Sequence, residues 1–233
     1  MQTTGDPLGS GRSADVYAID DAWVLRRYRH VADVADVASE AALMRYLYGR
    51  GYPVPQVRPD HPAGLALEPG TDLVMRRLSG PTMAQAMLAG AMPAEEGGTT
   101  LARLLRQLHG LPARGSGTLE ARILHLDLHP ENVMLTADGP VVIDWSNAEE
   151  GPPGLDWAMS ALILAQAALG SPPDIAAGIG KGLTALLGDG GDEVDALAHL
   201  PQAAARRAAD PGLSRLEIAR LDEAVAMVRA ATG

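Results

Sequence analysis

The chain has 233 residues, which allows one domain or a compact pair of lobes and excludes a large multidomain assembly. With 47% hydrophobic and 21% charged residues it can bury a core, so wholesale disorder is out; with no Phe, 3 Trp and 5 Tyr, that core falls to Leu, Val, Ala and Met, and aromatic base-stacking platforms are not expected. A formal charge of −10 repels nucleic acid and anionic lipid, and the absence of Cys removes disulfides, thiolate nucleophiles and Cys-ligated zinc.

In chain order, Met1 to Ser10 shows no basic region followed by an apolar run, so no signal peptide is expected. A glycine-rich turn at Gly9 to Gly11 leads into two β-like runs, Val16 to Ile19 and Trp23 to Leu25, joined at Asp20-Asp21 as a hairpin. From Val31 to Tyr48 the spacing of Val37, Met44 and Leu47 predicts an amphipathic helix, stopped by Gly49, Gly51 and Pro53. Asp72 to Met75 reads as a further strand ending near Gly80-Pro81, so an amino-terminal lobe of β, β, α, β spans residues 1–80. Residues 81–233 then form a mainly helical lobe. Its predicted helices include Thr82 to Met92 and a stripe of Leu101, Leu104, Leu105 and Leu108 closed by Gly110. A hairpin about Asp138-Gly139 is embedded in it, between Val133 to Leu135 and Val141 to Ile143, and Ala/Leu-rich helix resumes from Leu155. The most apolar stretch, Ala158 to Leu169, is too short to span a bilayer, and a soluble cytoplasmic protein without membrane partners is expected.

Chemistry concentrates around that hairpin. Asn132 and Asp144 flank its turn symmetrically to within one residue, so their side chains are expected together at its open end, an amide oxygen and a carboxylate suited to one Mg²⁺. Asp127, in the loop before Asn132, is placed to accept a proton beside that metal. On spacing alone, Asp127 and Asn132 could equally cap turns. Glu40 lies on the apolar stripe of its helix, so its carboxylate points inward and requires a cation. The residues alone leave that cation open: Arg26 and Arg27 are neighbours on the strand that begins at Trp23, and alternation turns them to opposite faces.

The run His125-Leu126-Asp127-Leu128-His129-Pro130-Glu131-Asn132 resembles the catalytic loop of kinases, residues 125–132 here, and Asp144 falls where those enzymes carry a second metal-binding Asp. Leu8 to Val16 looks like their phosphate-covering loop, with Ala14 for the third glycine. Trp23 to Arg26 resembles their V-A-I-K strand, with Arg26 for the lysine; Lys181 is the only lysine in the chain. His129, the Ile143-Asp144-Trp145 triplet and the segment Gly151 to Asp156 resemble the aminoglycoside phosphotransferase family, across most of the chain from Leu8 to about Leu164.

That resemblance implies an α+β, bilobal protein-kinase-like fold and an ATP-dependent phosphotransferase acting on a hydroxyl of a small molecule. Phosphates would lie under Gly9, Ser10, Gly11, Arg12, Ser13 and Ala14, with Arg26 and Glu40 as the phosphate-side ion pair and adenine at the backbone near Arg76 to Leu78. Asn132 and Asp144 would hold Mg²⁺, Asp127 would deprotonate the acceptor, and His125 and Asp156 would brace the loop. Leu126 and Glu131 depart from the family's glycines. Acidic residues such as Asp189, Asp192, Glu193 and Asp195 raise an aminosugar as one acceptor. Arg26 keeps open a non-catalytic nucleotide-binding module as the alternative, and a protein kinase is disfavoured because there is no room for a regulated activation segment.

Overall fold

The computed structural model describes residues 7–10, 14–29, 34–58, 67, 71–115, 120–188 and 196–232. Among them no helix is long and apolar enough to cross a membrane. The chain divides into two compact units, residues 1–80 with 134–146, and residues 81–133 with 147–233.

The first unit is built on a four-stranded antiparallel sheet in the order β1 (Pro7–Ser10), β2 (Ala14–Ala18), β3 (Trp23–Tyr28), β4 (Asp72–Arg76). The hairpin of β2 and β3 closes where Asp20 Oδ1 accepts the backbone N–H groups of Ala22 and Trp23 at 2.7 and 2.8 Å, a side chain standing in for a turn carbonyl. Pro7 to Ser10 adds a strand that the sequence suggests only as a glycine-rich turn. Helix α1 (Val34–Gly49) buries Val37, Glu40, Ala41, Met44 and Leu47, while Val31 to Asp33 of the expected helix lie outside the described residues. It ends with Gly51 at φ +77°, which lets the N–H groups of Gly51 and Tyr52 bond back to the carbonyls of Tyr48 and Leu47, each at 3.0 Å. Residues 56–58 then run beside β4: Arg76 N donates to Gln56 O at 2.8 Å and Arg58 N to Val74 O at 2.9 Å.

The hairpin of β6 (Val133–Thr136) and β7 (Gly139–Val142) forms at Asp138-Gly139, but residues 134–146 belong with the amino-terminal sheet, not with the helical lobe where the sequence reading places them. Three contacts explain this. Val142 N donates to Pro53 O at 2.8 Å, the rings of Tyr52 and Trp145 meet edge-on at 5.7 Å, and Gly80 packs so tightly on β6 that a Cβ there would stand 2.0 Å from Leu135 O.

The second unit is helical. Helix α2 (Met83–Leu88) begins in a capping box of Thr82 and Gln85 and ends at Leu88, short of the expected Met92, followed by Gly90 at φ +70°. Helix α3 (Ala94–His109) buries the predicted leucine stripe. Helix α4 (Pro153–Leu169) is buried on nearly every face, including Asp156. Around it lie α5 (Pro173–Gly188), α6 (Ala196–Ala209) and α8 (Leu221–Ala231), with the short, unburied α7 (Arg215–Ala219) against α8. Helices α3 and α5 approach so closely that a Cβ on Gly98 would fall 2.1 Å from Gly182 O. A ribbon of β5 (Arg122–Leu124) and β8 (Glu149–Gly151), three residues each and without a sequence signal, leads into the loop at His125.

Candidate active site

In the first unit, Arg26, Glu40 and Asp144 come together. Strand β3 alternates faces: Arg27 turns one way and grips both oxygens of Asp72 with Nε and Nη2 at 2.7 and 2.6 Å, while Arg26 turns the other way. Arg26 Nη1 donates to Glu40 Oε1 at 2.8 Å and its Nη2 to Asp144 Oδ1 at 2.7 Å. Glu40 also accepts from the backbone N of Trp145 at 3.2 Å and, on Oε2, from the hydroxyl of Tyr28. The interior cation that the helix stripe demands is thus Arg26. Burial pushes the Glu40 carboxyl above its usual range, with Arg26 and the Tyr28 hydroxyl pulling the other way. Burial alone would lower the Arg26 pKa, but the two carboxylates more than reverse this and the guanidinium stays charged. Burial, then the neighbouring Glu40 charge, also pushes the Tyr28 phenol up, so it remains a donor.

Asp144 stands just past β7 in the left-handed region at φ +62°, with its side chain 37% exposed and Ser146 Oγ donating to Oδ1 at 2.9 Å. The positive φ breaks the extended course of the backbone two residues beyond β7, and Trp145 follows with its indole N–H on Val142 O at 3.1 Å.

In the second unit, the loop of residues 125–132 is hung on Asp156. That carboxylate is fully buried and accepts from His125 N at 2.8 Å, Leu126 N at 2.7 Å and the His109 Nε2 nitrogen at 3.0 Å. Burial would raise the Asp156 pKa, yet the His109 hydrogen bond and charge, with His125, hold it below the usual carboxylate range. The two backbone bonds hold Leu126 at φ +61°, a conformation that suits glycine, which accounts for glycine being frequent there in the family pattern. His125 Nδ1 accepts from Asp127 N at 3.2 Å.

Asp127 then faces Asn132. The Asn132 amide nitrogen donates to Asp127 O at 2.9 Å and to Asp127 Oδ2 at 3.1 Å, and lies 3.2 Å from His129 Nε2. A one-turn 3₁₀ helix, Pro130–Asn132, folds Asn132 back, its N–H on His129 O at 2.9 Å. With the amide nitrogen so engaged, Asn132 Oδ1 and Asp127 Oδ1 accept from none of the described residues.

Among the described residues no three His, Cys, Asp or Glu side chains gather as a metal cluster. Taken one by one, the donors suit a hard divalent cation: Asn132 offers an amide oxygen, its nitrogen being engaged, and Asp144 a partly exposed carboxylate.

Of the other predicted residues, Gly9 and Ser10 lie on β1, paired with Val16 and Asp15, whereas Gly11, Arg12 and Ser13 lie outside the described residues, as do Asp189, Asp192, Glu193 and Asp195. Arg76 and Arg77 have their backbone N–H groups committed, to Gln56 O and Ala22 O at 2.8 Å each, so neither N–H is left to donate to an adenine. Arg76 itself stacks on Trp23, 5.8 Å from the ring centroid. Sequence reasoning missed three contributors, Tyr28, His109 and Ser146. Tyr28 had a signal, being two residues beyond Arg26 on the same strand face; the other two had none.

The two constellations lie one on the strand-rich first unit and one on the helical second. The sequence matches the model of the phosphotransferase enzyme family, APH, over residues 4–121 and 116–197, and the chain belongs to that family. It is an enzyme that transfers phosphate to a small-molecule hydroxyl. Comparison with curated proteins gives no match. Among solved structures, the fold resembles the gentamicin complex of APH(2″)-IIa, with 14% identity, a TM-score of 0.63 and coverage of 97% of this chain and 91% of that one. It also resembles ADP-bound APH(2″)-Ib (13%, TM-score 0.61, 98% and 95%) and the choline kinase LicA of Streptococcus pneumoniae (10%, TM-score 0.59, 97% and 93%).

Proposed function

We propose that the enzyme moves the γ-phosphate of ATP to an alcohol of a small molecule, with Asp127 as the base. The carrying observation is the pair of bonds from one Asn132 amide nitrogen to Asp127, which fixes Oδ2 and leaves Oδ1 to receive the alcohol proton. The acceptor O–H would give its proton to Asp127 as its oxygen attacks phosphorus and the bond to the β-phosphate oxygen breaks. Asn132 and Asp144 would hold Mg²⁺, which when bound neutralises charge on the phosphates. Arg26, oriented by Glu40, would face the phosphates, and Gly9 to Ser13 would cover them. Aminoglycosides and choline, named in the related structures, make cationic alcohols the first acceptors to try, and the charge of −10 is compatible with them.

The test is an ATP-consumption screen over aminoglycosides, amino alcohols and neutral hydroxylated metabolites. Turnover with at least one acceptor class is expected. If Mg·ATP raises the melting temperature yet no acceptor ever elicits turnover, the non-catalytic nucleotide-binding reading replaces this one.

A further inference from the structure

We propose that Tyr28 is a positioning residue that divides the Arg26 fork between two acids and so keeps Asp144 paired until phosphate oxygens engage the guanidinium. This rests on the reading of Asp144 as a metal ligand. A guanidinium beside a carboxylate prefers to grip both its oxygens, as Arg27 does with Asp72 at 2.7 and 2.6 Å. Arg26 does not. Its Nη1 reaches only Oε1 of Glu40, while the Tyr28 hydroxyl donates to Oε2 and occupies that side of the carboxylate. The guanidinium lies over the Tyr28 ring, 4.8 Å from its centroid, and its second nitrogen is turned to Asp144 Oδ1 at 2.7 Å. Glu40 is buried and needs its cation; Asp144 is 37% exposed and can exchange partners with solvent ions.

A lysine at position 26 has a single nitrogen and could not span both acids in this way. The arrangement therefore depends on two features of this chain together, Arg26 and Tyr28. Its consequence is thermodynamic coupling: a divalent cation arriving alone competes with Arg26 for Asp144, whereas one arriving with phosphates meets a guanidinium drawn toward them.

The experiment measures Mn²⁺ binding to the full chain without nucleotide, from the electron paramagnetic resonance signal of free Mn²⁺. In Tyr28→Phe both Glu40 oxygens become available to Arg26, and Mn²⁺ is expected to bind about fivefold tighter than in the wild type, the scale of losing one partly exposed ion pair. The gain should vanish in Tyr28→Phe/Asp144→Ala. A variant that is merely destabilised would not tighten. If Tyr28→Phe fails to fold, Arg26→Lys provides the same reading, since its lone nitrogen stays with buried Glu40 and should release Asp144 with a similar gain. Mn²⁺ binding that depends on Asp144 but is equal in wild type and the folded variant overturns the proposal and spares the metal assignment. Binding indifferent to Asp144→Ala in every background overturns both.

Discussion

Glu40 and Asp156 are both buried carboxylates, yet they answer pH in opposite directions. Asp156 has its pKa depressed, because His109 and the backbone bonds of the loop outweigh burial, so its stabilisation is present above the ordinary carboxylate pKa, about 3.9, and drains away as pH falls below it. Glu40 has its pKa raised by burial, so its ionisation on going from acid toward neutrality detracts from stability. Urea unfolding of Asp156→Asn across pH 7 to 3 should therefore fall less steeply in acid than that of wild type; equal slopes would remove Asp156 from the acid transition. Glu40→Ala should destabilise by about 3 kcal/mol at neutral pH, since it removes the buried one of the two carboxylates that Arg26 holds and leaves only Asp144. A loss under 1 kcal/mol in the same urea titration would show that Arg26 finds water. That Glu40 must face inward was legible from its place on the apolar stripe; that Asp156 anchors the loop came only with the family resemblance, because its partners are backbone N–H groups 30 and 31 residues away.

At the level of elements, the sequence reveals what is periodic or punctuated. The leucine stripe of α3, the stop of α1 at its glycines and the hairpin turn at Asp138-Gly139 all follow from local rules, and all are present. The three-residue strands β5 and β8 are too short for any period to register, and α2 ends early because the Gly90 turn intervenes inside an otherwise helical composition. The contact of α3 with α5 is likewise invisible in one dimension, since only the packed pair shows why Gly98 has no side chain. Gly98→Ala would press a methyl group into a backbone carbonyl and should cost about 3 kcal/mol, the upper range for overpacking, by thermal or urea unfolding. Gly9→Ala, whose Cβ would meet nothing within 4 Å, is the control expected to stay close to wild-type stability.

For the molecule as a whole, the boundary near Gly80-Pro81 was readable from its turn residues, but the allegiance of the hairpin was not. Chain order places residues 134–146 among helices; hydrogen bonding to Pro53, the ring contact with Tyr52 and the Arg26–Asp144 ion pair bind them to the sheet. Asn132 falls in the second unit and Asp144 in the first. With Asp144 as a metal ligand, Mg²⁺ should sharpen ATP binding in calorimetry, and Asp144→Ala should erase the difference between Mg²⁺ and EDTA. Metal dependence that survives in that variant would reassign the ligand.

The most direct measurement is turnover by Asp127→Asn, set beside its melting shift with Mg·ATP. Loss of a general base that leaves the fold and nucleotide site intact predicts a wild-type melting shift with kcat lower by roughly 10²-fold or more. Undiminished kcat in a variant that still binds Mg·ATP would contradict the assignment of Asp127 and the transfer chemistry built upon it.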